Sequence, residues 1–157
     1  MSVFTVREVI EQAVQIEKLG YQFYTEMAQR FREEEGLRKL FTTLAEKELR
    51  HEKVFKELLD MVGDSEPDGW DDISAYMRAM VESEFFLGKE KSLPAMTHIK
   101  TVDDAVKFAI GFEKETLLYF HGIRDAVKEK EIVDEIINEE KSHIMWLTRF
   151  RDSFLKK

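Results

Sequence analysis

The sequence predicts an all-α fold, a four-helix bundle of two antiparallel hairpins joined by a long crossover that carries a short extra helix. Three observations predict it. Four long segments repeat apolar residues with the helical period of about 3.6. Helix breakers are scarce, with 2 Pro and 7 Gly in 157 residues. The breaks inside each half are short, whereas the one between the halves is long.

The first helix is expected from Thr5 to Arg32, with Ile10, Ala13/Val14, Tyr21, Tyr24, Met27/Ala28 and Phe31 on one stripe. Thr5 followed by Glu8 is a capping-box signature, in which each side chain satisfies a free backbone N–H. The second is expected from Leu37 to Val62 through Phe41, Leu44/Ala45, Phe55 and Leu58/Leu59, with Gly36 marking the break before it. The segment Gly63 to Lys100 opens on "GDSEPDGW" and closes on "LGKEKSLPAM", both turn-rich. Its middle, Asp72 to Phe86, is amphipathic and reads as the short extra helix. A third long helix is expected from Val102 to Lys128 and a fourth from Ile132 to Phe154. Breaks at 33–36 and 129–131 make two hairpins. A crossover this long lets the second and third long helices run parallel.

Composition narrows the function. One domain over residues 1–157 suits this length. Charged residues are 36 % of the chain, which suits long helices with solvated outer faces. The formal charge of −8, without a basic stripe, argues against a nucleic-acid partner. Absence of Cys removes disulfides, thiolate metal sites and Cys nucleophiles. No basic-then-apolar leader opens the chain and no run of 18 apolar residues occurs, so the expectation is a cytoplasmic protein with no membrane partner.

The halves look like copies. "TVREVIEQAVQIEK" (5–18) lies over "TVDDAVKFAIGFEK" (101–114) with five of fourteen positions identical. The second helix of each half then carries Glu-x-x-His, as Glu48…His51 and Glu140…His143. A pseudo-twofold bundle follows.

That repeat exposes the chemistry. The stripe of the second helix passes through Glu48 and His51, and that of the fourth through Glu140 and His143. Glu17 and Glu113 fall on the stripes of the first and third. Four buried carboxylates without Lys or Arg beside them each cost several kcal/mol. Two divalent cations would cancel the four charges and leave both His neutral as nitrogen ligands. Oxygen and imidazole donors without sulfur suit iron or manganese, with zinc an alternative. One Glu from each of two helices plus Glu-x-x-His from each of the others is the dinuclear carboxylate pattern of helical bundles. Tyr24, two turns from Glu17 on the same face, is a candidate hydrogen-bond or redox partner, with core packing the other reading. His98 and His121 lack such context and read as surface or loop residues. Lys18 and Lys114 point off the face.

With those residues in hand, "EKLGYQFY" (17–24), "EKELRHEKVF" (46–55), "FEKETLLYF" (112–120) and "EEKSHIMWL" (139–147) resemble the four metal-binding helices of the rubrerythrin group of ferritin-like proteins. The resemblance implies a ferritin-like bundle with two iron ions bound by Glu17, Glu48, His51, Glu113, Glu140 and His143. It implies a di-iron oxidoreductase that reacts with peroxide or dioxygen, of peroxidase or ferroxidase type, with peroxide reduction the favoured reaction. Ferrous-iron oxidation or handling, as in bacterioferritin, is the alternative, and a non-enzymatic metal-binding helical module a third. Two departures bear on this. The rubredoxin domain usual in the family is absent, so the electron donor would be a separate molecule such as rubredoxin. The family's further Glu, one turn after the ligand on the third helix, is Thr116 here, with Gly20 at the repeat-equivalent position. A homo-oligomer, as a dimer, is expected, with Trp70, Phe85 and Phe86 as exposed aromatics for its interface.

Overall fold

The computed structural model describes residues 5–63, 66–81 and 96–156. Its helices are α1 (Val6–Arg30), α2 (Glu35–Met61), α3 (Trp70–Val81), α4 (Val102–Ala126) and α5 (Lys130–Leu155), with a 3-10 turn at Met96–His98 before α4. No strand occurs among the described residues.

Both halves start in the same way. The backbone N–H of Glu8 donates to Thr5 Oγ1 and that of Thr5 donates to Glu8 Oε1. Thr101 and Asp104 repeat this reciprocal pair at the start of α4. Each box satisfies two of the free N–H groups that a helix start leaves over.

Named contacts fix the directions. On α1, Arg7 donates to Leu59 O and Glu17 lies beside His51, so α1 and α2 are antiparallel. Tyr119 of α4 donates to Val9 O, Tyr24 reaches Glu113, and Arg30 reaches Ile99 O, so α4 runs against α1. It follows that α4 is parallel to α2, as the long crossover requires. Contacts of Gly36 with Phe150 and of His51 with Glu139 and Glu140 set α5 antiparallel to α2.

Two apolar clusters fill the interior. One, with Ile10, Ile16, Phe55, Leu58, Phe112, Phe120, Ile123 and Ile136, lies toward the start of α1. The other, with Phe23, Met27, Leu37, Phe41, Leu44, Ala109 and Leu147, lies toward its end. A polar layer separates them.

Four expectations need correction. The hairpin breaks fall at 31–34 and 127–129, and Gly36 lies inside the first turn of α2 rather than in the turn. A Cβ there would sit 3.2 Å from the Phe150 ring, so the glycine admits close packing of α5. Tyr21, expected on the apolar stripe, is 36 % exposed at the edge of that stripe. Trp70, expected as an exposed interface aromatic, is buried at the start of α3, where the first cluster takes it in. The extra helix begins at Trp70 and is described to Val81; residues 82–86 of its expected span, with Phe85 and Phe86, lie outside the described residues.

Candidate metal centre

Each long helix delivers its polar group to the same layer because the group replaces one apolar residue on a stripe of period 3.6. Glu17 on α1, Glu48 and His51 on α2, Glu113 on α4, and Glu140 and His143 on α5 are all fully buried. His98 and His121 are exposed, as their sequence context suggests.

The six groups form two overlapping sets. Donor atoms of Glu17, Glu48, His51 and Glu140 all lie within 4.8 Å of one another, and so do those of Glu48, Glu113, Glu140 and His143. Glu48 and Glu140 belong to both sets. His51 Nδ1 stands 2.8 Å from Glu140 Oε1 and 3.7 Å from Glu17 Oε2. His143 Nδ1 stands 3.5 Å from Glu140 Oε2, 3.6 Å from Glu113 Oε1 and 4.0 Å from Glu48 Oε1. The two imidazoles lie nearly parallel, 5.9 Å apart between centroids.

The protein satisfies this layer only in part. Both oxygens of Glu17 and of Glu48, Oε2 of Glu113 and of Glu140, and both ring nitrogens of His143 are buried without a hydrogen-bond partner. A buried polar atom left unpaired costs about 1–3 kcal/mol, more when charged. The ion pairs of the four glutamates among the described residues are with His51 and His143 alone. So many orphaned donors aimed at one place fit a pair of divalent cations.

Without cations, protons must do part of that work. Burial pushes the Glu17 and Glu48 carboxyls well above the usual carboxylate range, and the neighbouring glutamates push further. Burial and the Glu140 charge raise Glu113 to about 8. His51 is driven down to about 3, by burial first and by His143 second. Burial also opposes charge on His143, but the adjacent Glu113 and Glu140 carboxylates outweigh it and raise this group to about 10.

Three supporting residues surround the layer. Tyr24 donates a 2.6 Å hydrogen bond to Glu113 Oε1. Gly20 makes room for Glu48, since a Cβ there would lie 3.0 Å from Glu48 Cδ and 3.1 Å from Oε2. Glu139, which sequence reasoning missed, places Oε2 2.8 Å from His51 Nε2 and pairs with Arg50. Its signal was present: position 139 is acidic where the other half has Lys47. Reading it required the antiparallel register of α2 and α5. Thr116 is fully buried with its hydroxyl unpartnered, one turn after Glu113.

Comparison with known proteins agrees with this arrangement. The sequence model of the rubrerythrin family matches residues 8–151. The fold is similar to the crystal structure of a Thermotoga maritima protein described as a ferritin-like diiron-carboxylate protein. The TM-score is 0.70 at 22 % identity, over 97 % of each chain. At that identity the likeness is one of fold. No curated protein matches significantly. No described helix is long and apolar enough to cross a membrane.

Proposed function

Because the chain belongs to the rubrerythrin family, we propose that it is a di-iron oxidoreductase that reacts with peroxide or dioxygen, with peroxide reduction the favoured reaction. The observation that carries this reading is the pair of donor sets that share Glu48 and Glu140. Those two carboxylates would hold both ions. Glu17 and His51 would complete one position, and Glu113 and His143 the other. An iron pair held by these residues would supply the two electrons that reduction of an O–O bond requires.

The chain's own residues do the rest. Phe23, Tyr24, Phe41, Phe55, Phe112 and Phe120, all fully buried, keep bulk water from the layer along the bundle axis. Tyr24 fixes the Glu113 carboxylate through its hydrogen bond. Gly20 leaves room for the Glu48 carboxylate in the orientation it holds, since a Cβ there would meet it at 3.0–3.1 Å. Electrons would come from a separate donor molecule such as rubredoxin.

Ferrous-iron oxidation is the second reading, favoured by one observation. Thr116 stands where the family's extra carboxylate is expected, leaving six donors rather than seven. Stopped-flow mixing of the Fe(II)-loaded protein with hydrogen peroxide and, separately, with dioxygen tests both. Faster oxidation by peroxide than that of free Fe(II) supports the first reading. Acceleration with dioxygen alone supports the second, and acceleration with neither overturns both.

A further inference from the structure

The two donor sets are related by the internal repeat, yet the groups behind them are not. His51 turns Nδ1 toward the acids and Nε2 toward Glu139 Oε2 at 2.8 Å. Glu139 is held in turn by Arg50. His143 also turns Nδ1 toward the acids, but its buried Nε2 has no hydrogen-bond partner.

The reason lies in the sequence. The repeat pairs Glu48 with Glu140 and His51 with His143, so it pairs Lys47 with Glu139 and Arg50 with Ser142. Antiparallel packing sets His51 opposite Glu139, and the same register sets position 47 opposite His143. There the chain has a lysine, which cannot accept a proton from an imidazole. Ser142 donates its hydroxyl to Asn138 O on its own helix and holds nothing across the seam.

A carboxylate behind a ligating imidazole fixes its tautomer and ring orientation and raises its basicity. Removing such a partner typically costs about 10–100-fold in metal affinity. Tyr24 acts differently on the other set. It orients Glu113 but, as a donor, draws electron density from that carboxylate. Its repeat mate is Phe120, which leaves Glu17 undiminished. Both differences put more negative charge on the side of Glu17 and His51.

We propose that Glu139, held by Arg50, is a positioning residue for His51 that makes the centre unequal, so that the ion position of Glu17 and His51 fills first and more tightly than that of Glu113 and His143. The inference rests on the dinuclear reading above and adds an order of filling to it.

The test is anaerobic titration of the chelator-treated full chain with Co(II), followed by calorimetry and by visible absorption, which reports each ion's ligand field. Wild type is expected to take two ions in steps separated by tenfold or more. Glu139→Gln should weaken the tighter step by about 10–100-fold and leave the weaker step in place. Lys47→Glu should tighten the weaker step and bring the two together. The Glu139 side chain is 28 % exposed and Lys47 is half-buried outside the apolar clusters, so neither substitution opens the core. Two equal steps in wild type, or unequal steps that Glu139→Gln leaves unchanged or shifts together, overturn the role of Glu139 while the dinuclear reading stands. Uptake of no more than one ion by wild type overturns the dinuclear reading itself.

Discussion

Tyr24 on α1 donates to Glu113 on α4 across 2.6 Å, between helices that are remote in sequence and at the level where both are fully buried. The bond satisfies one oxygen of an acid whose other oxygen has no partner. Tyr24→Phe removes the donor and leaves the rest of the ring's packing in place. The expected cost is about 1–3 kcal/mol of folding stability, read as a lower urea midpoint of the chelator-treated protein with an unchanged denaturant slope.

Gly20→Ala sets two effects against each other. Alanine favours the helix by about 1 kcal/mol over glycine. Its Cβ would meet the flexible end of Glu48 at 3.0–3.1 Å, so the carboxylate must swing aside. The chelator-treated variant should therefore melt no lower than wild type, while both metal-binding steps weaken, because Glu48 belongs to both donor sets. Calorimetric titration beside thermal melts separates the two effects.

Stability without metal should fall as pH rises from about 6.5 to 8. In that window Glu113 (raised to about 8) and His143 (raised to about 10) hold protons in the folded chain that the unfolded chain releases. Groups with raised folded values stabilise at low pH and lose that contribution as pH rises. His51, lowered to about 3, has the opposite sign but acts only below its unfolded value of 6.5. Metal reverses the trend, since its carboxylate ligands must be deprotonated. Urea midpoints at pH 6.5 and 8, with chelator and with Co(II), should move in opposite directions.

Glu48→Gln removes a buried acid with two orphaned oxygens. Burial holds this carboxyl protonated well above the usual carboxylate range, so at pH 8 ionisation of the same group in the unfolded chain opposes folding, and glutamine removes that cost. The variant should be more stable than wild type in chelator at pH 8 and less stable in excess Co(II). Equal stability of the two proteins in both conditions would contradict the placement of Glu48 at the centre of the layer.

The fold was legible because its signals are redundant. Four stripes of period 3.6, two short breaks and a repeated capping-box sequence all give the same bundle. The six buried donors were legible for the same reason, as each breaks an apolar stripe at a repeat-equivalent position. What escaped depends on contacts between helices. Gly36 reads as a breaker, yet it is tolerated in a first helical turn and required by Phe150. Trp70 follows turn residues, and only the packing of α3 shows it buried. Glu139 looks like an ordinary surface acid until α5 is laid against α2. The Tyr24 bond also needed α4, which the sequence leaves more than eighty residues away.

The acidic layer is plugged at either end by an apolar cluster. Protons, electrons and ions exchanged with the outside therefore have to cross the flank of the bundle rather than travel its length. Glu139 stands on that flank between α2 and α5, partly open to solvent and bonded to His51. The flank between those two helices is thus where the buried layer connects, through Glu139, to solvent.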